Sequence, residues 1–267
     1  MKTKQLLTLV FTLYLSVGLA AHHDGDHAVV LNLDGTYKEC SMMLSPAVTQ
    51  NEFRDFGREV GPILFFKPVA GAKPLGKFNF DIGIEQQRTS PLEDYKGKWN
   101  NTFVHPTSDH YLVGDSHSLV IPLLHARMGI SERTDIEAYF TKNFGANYGF
   151  AGGAIKYAFY HDAESNWAAS SRLTYSALFG VNDFNYHQGG VDVLVSKDLW
   201  FFRPYAGAGI TLGQLTPTTA KVNLAGETLV APLAIVGLQF VYKHLSLAAE
   251  ADFGAINMYT LRVAAAF

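Results

Sequence analysis

Tyr259-Thr260-Leu261-Arg262-Val263-Ala264-Ala265-Ala266-Phe267 closes the chain, and its reading decides the fold. In an extended strand successive side chains point to opposite faces. Tyr259, Leu261, Val263, Ala265 and Phe267 therefore share one face, and Thr260, Arg262, Ala264 and Ala266 share the other. One face is apolar and aromatic; the other carries a charge. A soluble strand alternates in the same way but rarely ends on an exposed Phe.

The same period recurs upstream, with turn residues between the segments. Phe78, Phe80, Ile82 and Ile84 oppose Asn79, Asp81, Gly83 and Glu85. Leu124, Ala126, Met128 and Ile130 oppose His125, Arg127 and Gly129. Ile136, Ala138 and Phe140 oppose Asp135, Glu137 and Tyr139; Ile155, Tyr157 and Phe159 oppose Lys156 and Tyr160. In 167–179, Leu173 and Tyr175 oppose Arg172, Thr174 and Ser176. Val191, Val193 and Val195 oppose Asp192 and Ser196; Ala206, Ala208, Ile210 and Leu212 oppose Arg203, Tyr205 and Thr211. Segments 230–240 and 245–253, followed by the closing strand, bring the total to about ten, within a range of about eight to twelve.

Composition agrees. Charged residues make up 17% and aromatics 13%, and mean hydropathy is only +0.06, so the apolar residues are interleaved rather than blocked into spanning helices. A single cysteine excludes a disulfide scaffold. A net charge of −3 gives nucleic acid no purchase. Lys2 and Lys4, an apolar core over 6–17 and small residues at Gly18-Leu19-Ala20 predict a secretory signal over 1–20, cleaved after Ala20.

These patterns resemble bacterial outer-membrane β-barrel proteins, whose last strand usually ends on an aromatic residue. The resemblance spans the export signal and 76–267. It rests on pattern and not on a fingerprint, so no functional residue is carried over from a named relative. It implies an all-β, transmembrane, antiparallel up-and-down barrel in the outer membrane. Lipid and the barrel-insertion machinery are the implied partners, with Tyr259, Leu261, Val263 and Phe267 as the C-terminal insertion signature. Short turns at 131–133, 161–166, 197–200 and 242–244 then face the periplasm. The connections 87–118, 143–149, 180–187, 215–227 and 254–257 face outward. Trp167, Trp200, Phe201, Phe202 and Tyr242 form one aromatic girdle, and Phe140, Phe144, Tyr148, Phe179, Phe184 and Tyr186 the other.

Residues 21–75 follow a different pattern. Asp34-Gly35 marks a hairpin, and Ser45-Pro46 reads as the start of a helix running to about Arg58 with Phe53 and Phe56 on one face. The segment is a plug in the lumen, a periplasmic extension or an extra strand pair.

The inward faces carry Asp81, Glu85, Asp135, Glu137, Asp192, Glu250 and Asp252, together with Arg127, Lys156, Arg172, Arg203 and Arg262. Neighbouring strands mostly alternate in sign, and Arg262 faces Asp81 or Glu85 if the barrel closes. Such a network either fills and locks a narrow lumen or lines a pore that selects a small solute. Leu233 and Ile235 make an apolar inward strip that Phe53 and Phe56 are placed to cover.

Histidines raise two further possibilities. His22, His23 and His27 are weak metal ligands on a terminus without supporting contacts. Asp109, His110, Asp115 and His117 share one external loop, the location of acid–base groups in barrel hydrolases such as the omptin proteases. No omptin motif matches elsewhere, and His117-Ser118 and His244 with Ser246 offer only generic proximity. The expectation is a non-enzymatic barrel without cofactor: a small transporter, narrow channel or structural surface barrel. The alternatives are an external-rim protease or lipid hydrolase, and a soluble secreted β-protein.

Overall fold

The structure, a computed structural model, describes residues 41–91, 98–99, 101–104, 118–144 and 146–267. The signal sequence, Asp34-Gly35, His22, His23, His27, Asp109, His110, Asp115 and His117 lie outside them. The strands are β1 (Ser41–Met42), β2 (Phe80–Thr89), β3 (Phe103–Val104), β4 (Val120–Gly129), β5 (Thr134–Lys142) and β6 (Gly149–Asp162). They continue with β7 (Trp167–Phe179), β8 (Phe184–Lys197), β9 (Phe202–Pro217), β10 (Glu227–Tyr242), β11 (Leu245–Phe253) and β12 (Met258–Ala266). Among the described residues an α-helix, α1, spans Gln50–Leu64.

Ten of the strands, β2 and β4 to β12, close into one antiparallel barrel in chain order, with β12 paired to β2. β1 and β3 form a separate two-stranded ladder. Closure removes every strand edge along the seam, the only way a sheet can satisfy its backbone in lipid. Phe267 completes the seam. Its N–H and carbonyl exchange hydrogen bonds with Phe80 at 2.8 and 3.0 Å, and the two rings stack 5.1 Å apart.

Side-chain parity sorts the wall. Ile82, Leu124, Ile155, Leu173, Ile210 and Leu261 are each more than half exposed on the outside, while Asp81, Arg127, Lys156, Arg172 and Arg262 are buried within. A β-bulge breaks the pattern between Tyr157 and Tyr160. The inserted residue flips parity, so Tyr160 points outward instead of into the lumen as its spacing predicts. The upper aromatic girdle is also smaller than expected. Phe140 and Phe179 stack outside, and Phe144 is exposed, but Tyr148, Phe184 and Tyr186 are buried inside.

Those inward rings have something to pack on. Residues 43–75 enter at the long-loop end, form α1, and leave at the short-turn end as an irregular segment leading to β2. The described residues add no strand pair to the barrel. The helix starts later than Ser45-Pro46 suggests. Thr49 is the N-cap and forms a reciprocal capping box with Glu52, and the helix runs on to Leu64 with Pro62 inside it. Phe53 and Phe56 meet Phe184 edge-on at 6.2 and 5.6 Å, and Phe56 meets Trp99. The strip on β10 is covered by a different ring: Ile235 packs with Phe65, Ala72, Leu194 and Tyr205, and Leu233 lies against them.

Candidate functional site

The lumen carries two kinds of contact, a belt of ion pairs and a row of grips on the N-terminal segment. Across the seam, Arg262 reaches Asp81 at 2.5 Å and Glu85 at 3.2 Å. Asp81 also accepts from Arg127 Nε at 3.0 Å, and His125 pairs with Glu85. Lys156 meets Asp135 at 2.8 Å. Arg172 bridges Asp192 at 2.9 Å and Glu137 at 3.1 Å. These are neighbouring-strand contacts in the observed register, except Arg172–Glu137, which spans from β7 to β5.

Arg203 lies apart from this belt. It binds Asp198 in the short turn before β9 and reaches Gln239 at 3.2 Å. Glu250 and Asp252 are also apart. Glu250 accepts from the Tyr205 hydroxyl at 2.7 Å, and neither Asp252 oxygen meets a donor. Gly237 makes room for that tyrosine, since a Cβ there would lie 2.1 Å from the Tyr205 ring.

The grips run the length of the barrel. Tyr186 and Tyr139 hydroxyls donate to the Gly57 and Leu64 carbonyls, both at 2.9 Å. Arg172 Nη2 donates to the Phe66 carbonyl at 2.7 Å. Val69, Gly71 and Ala72 N–H groups donate to Glu250, Gln239 and Ser196 at 2.9, 3.1 and 2.9 Å. Lys156 donates to the Lys73 carbonyl, and the Leu75 N–H to Asp135, both at 3.1 Å. An irregular backbone buried in a barrel needs partners for its polar groups, and the wall supplies them.

Alternation puts the ion-pair residues inside together with His125, Tyr139 and Ser196, but it gives no sign of the contacts these three make, nor of the inward Lys67, Tyr186 and Gln239. Lys67 carried a signal: it is a lone ammonium in an apolar, proline-punctuated run. It is fully buried and donates to the Pro62 and Phe65 carbonyls at 2.8 and 3.2 Å. Ser246 is buried and accepts from Gln239, whereas His244 lies exposed beside the Ala266 carbonyl, so they do not form a nucleophile–base pair. Among the described residues no group of three or more His, Cys, Asp or Glu is placed to hold a metal ion.

At the short-turn end a recess of about 270 Å³ is lined by Lys73, His161, Asn166 and Asp198. Burial pushes the Asp198 carboxyl up, but hydrogen bonds from Arg203 and from Lys73, at 2.7 Å, outweigh it and hold it below the usual carboxylate range. A carboxyl lowered on folding stabilises above its unfolded value of about 4 and loses that contribution as pH falls through the lowered value. Amide exchange of residues 71–75, corrected for intrinsic rate, is therefore expected to rise below about pH 4 relative to neutral pH. Asp198→Asn should flatten that change; an equal change in the variant would remove Asp198 as its cause.

No protein-family model matches the chain, and no curated protein matches it. Solved structures with a similar fold are outer-membrane barrels. An outer-membrane channel from Pseudomonas putida F1 is 12% identical and aligns over 76% of this chain and 100% of its own, at a TM-score of 0.46. The N-terminal β-barrel domain of OprF from Pseudomonas aeruginosa is 12% identical over 72% and 99%, at 0.36. Ail, the attachment invasion locus protein of Yersinia pestis, is 11% identical over 72% and 99%, at 0.28. These likenesses concern the fold.

Proposed function

We propose that this chain is an integral outer-membrane barrel closed by its own N-terminal segment, acting as a structural or surface barrel rather than a constitutively open channel. The outward apolar band supports the membrane placement. Nine strand residues at about 3.3 Å each, tilted by roughly 40°, cover close to the ~25 Å band such barrels present to lipid. Tyr259, Leu261, Val263 and Phe267 stand on that outer face, in reach of lipid and of the insertion machinery. The single observation that carries the closed state is the row of wall-to-backbone contacts from Gly57 to Leu75, which threads one buried path through the lumen.

The test has two arms. The chain should fractionate with outer membranes and migrate differently on a denaturing gel before and after boiling. Liposomes that carry it should not swell in small sugars. Recovery as a soluble periplasmic protein would overturn the membrane placement, and steady swelling would overturn closure. A gated narrow transporter is the second reading, favoured by the charged wall behind a segment held largely by side chains. On either reading the protein is not an enzyme. Peptide or lipid hydrolysis that disappears when Asp109, His110 and His117 are replaced by alanine would reverse that.

A further inference from the structure

One stretch of β10 is paired on one side only. Residues 227–233 of β10 extend beyond Ala234, whose partner Phe253 is the last residue of β11. They pair with β9 on one side and, among the described residues, with no strand on the other. Pro232 lies in this stretch and has no N–H to offer a neighbour.

A narrow crevice of about 10 Å³ sits at the gap. Outward-facing Pro232 and Phe253 line it together with inward-facing Leu233, Phe65 and Asp252, so it crosses from the outer face to the lumen. Its walls are almost wholly apolar, and its size suits a single water-sized group.

Asp252 gives the crevice a charged inner end. The residue is 4% exposed, and both its carboxylate oxygens lack a hydrogen-bond donor, as does Oε1 of Glu250. Each of the other inward carboxylates, Asp81, Glu85, Asp135, Glu137 and Asp192, has an ion pair. The cations nearest Glu250 and Asp252 are the Lys67 ammonium and the Arg172 guanidinium, and both spend their hydrogen bonds elsewhere, Lys67 on two carbonyls of its own segment and Arg172 on Asp192, Glu137 and the Phe66 carbonyl. Neither cation donates to Asp252, and a buried carboxyl without a hydrogen-bond partner is costly.

We propose that this gap is a lateral binding site for a single-chain cationic amphiphile. A primary ammonium head passes between β10 and β11 to Asp252. The alkyl tail lies against Pro232, Leu233, Phe253 and Ile256 and continues into the surrounding hydrocarbon. A phosphate or sugar head exceeds the crevice, and an anionic head would meet two carboxylates. The site rests on the membrane-barrel reading, since the tail needs an apolar phase outside the wall.

Dodecylammonium, titrated into the full-length barrel in neutral maltoside micelles, tests this by calorimetry or native mass spectrometry. Saturable one-to-one binding is expected, weakened by about tenfold or more in Asp252→Asn. Dodecanol and dodecyl sulfate should bind at least about tenfold more weakly than the ammonium. Gly254→Leu should block entry. Gly254 lines the crevice, and a Cβ there would sit 3.6 Å from the Pro232 carbonyl oxygen and 3.9 Å from Pro62, in ordinary contact, so the added side chain competes for the same space. Equal binding by either variant, equal binding of dodecanol, or no saturable binding to a heat-shifting barrel would overturn the site and leave the barrel reading standing. Should either variant fail to fold, the three head groups compared on the natural chain decide. Loss of heat-shifted migration in the natural chain would instead count against the barrel itself.

Discussion

Arg172→Ala is expected to lower the stability of the barrel by about 3–5 kcal/mol, the usual cost of stripping one partner from a buried ion pair. Arg172 is almost completely buried, and its guanidinium serves Asp192, Glu137 and the Phe66 carbonyl at once. Its removal takes the ion-pair partner of the Asp192 carboxylate and, among the described residues, leaves Glu137 with His125, 3.9 Å away, as its one ion-pair contact within 4 Å. The loop of residues 65–67 also loses its central grip. Arg172→Lys is expected to recover little, because one ammonium cannot reproduce a fork that reaches three acceptors. Urea midpoints of the folded band in micelles report the change. A loss under about 1 kcal/mol would mean that the pairs are far better hydrated than their burial indicates.

Asp81→Ala should rank second, at about 3 kcal/mol or more, and should act on closure. Asp81 receives Arg127 from β4 and Arg262 from β12, so it ties both neighbours of β2 together. Without it Arg262 keeps Glu85, but Arg127 keeps no ion pair within 4 Å among the described residues. Because β12–β2 pairing joins the two ends of the barrel strand order, the variant should also slow the appearance of the heat-shifted band on refolding. Asp81→Asn retains part of the hydrogen bonding and should fall between. An Asp81→Ala chain that refolds at the natural rate would place closure outside the rate-limiting step.

Much of this architecture is legible in the chain because a barrel wall is a local pattern. Alternation gives each strand its parity, and the breaks in it mark the turns at 130–133, 163–166, 198–201 and 243–244. Parity on the first and last strands even brings Arg262 to Asp81 and Glu85. The errors have physical causes. A one-residue bulge, which leaves no mark in the alternation, turns Tyr160 outward. Tyr148, Phe184 and Tyr186 look like girdle rings because an aromatic at a strand end serves lipid or a buried segment equally well. Thr49-x-x-Glu52 was available as a capping box, yet Ser45-Pro46 matches the rules for a helix start as closely. The path of residues 65–75 has no period to read. It is fixed by contacts such as Ala72 with Ser196, 124 residues away in the chain. The same holds for the crevice, which exists because β10 outruns β11 and not because of any motif.

Planar-bilayer recording tests the closed barrel most directly. The full-length protein, inserted at single-molecule density, should show a flat trace across ordinary voltages, and removal of residues 41–75 from a chain that still shows heat-shifted migration should introduce discrete steps. Steady ohmic conductance from the full-length protein would contradict the account.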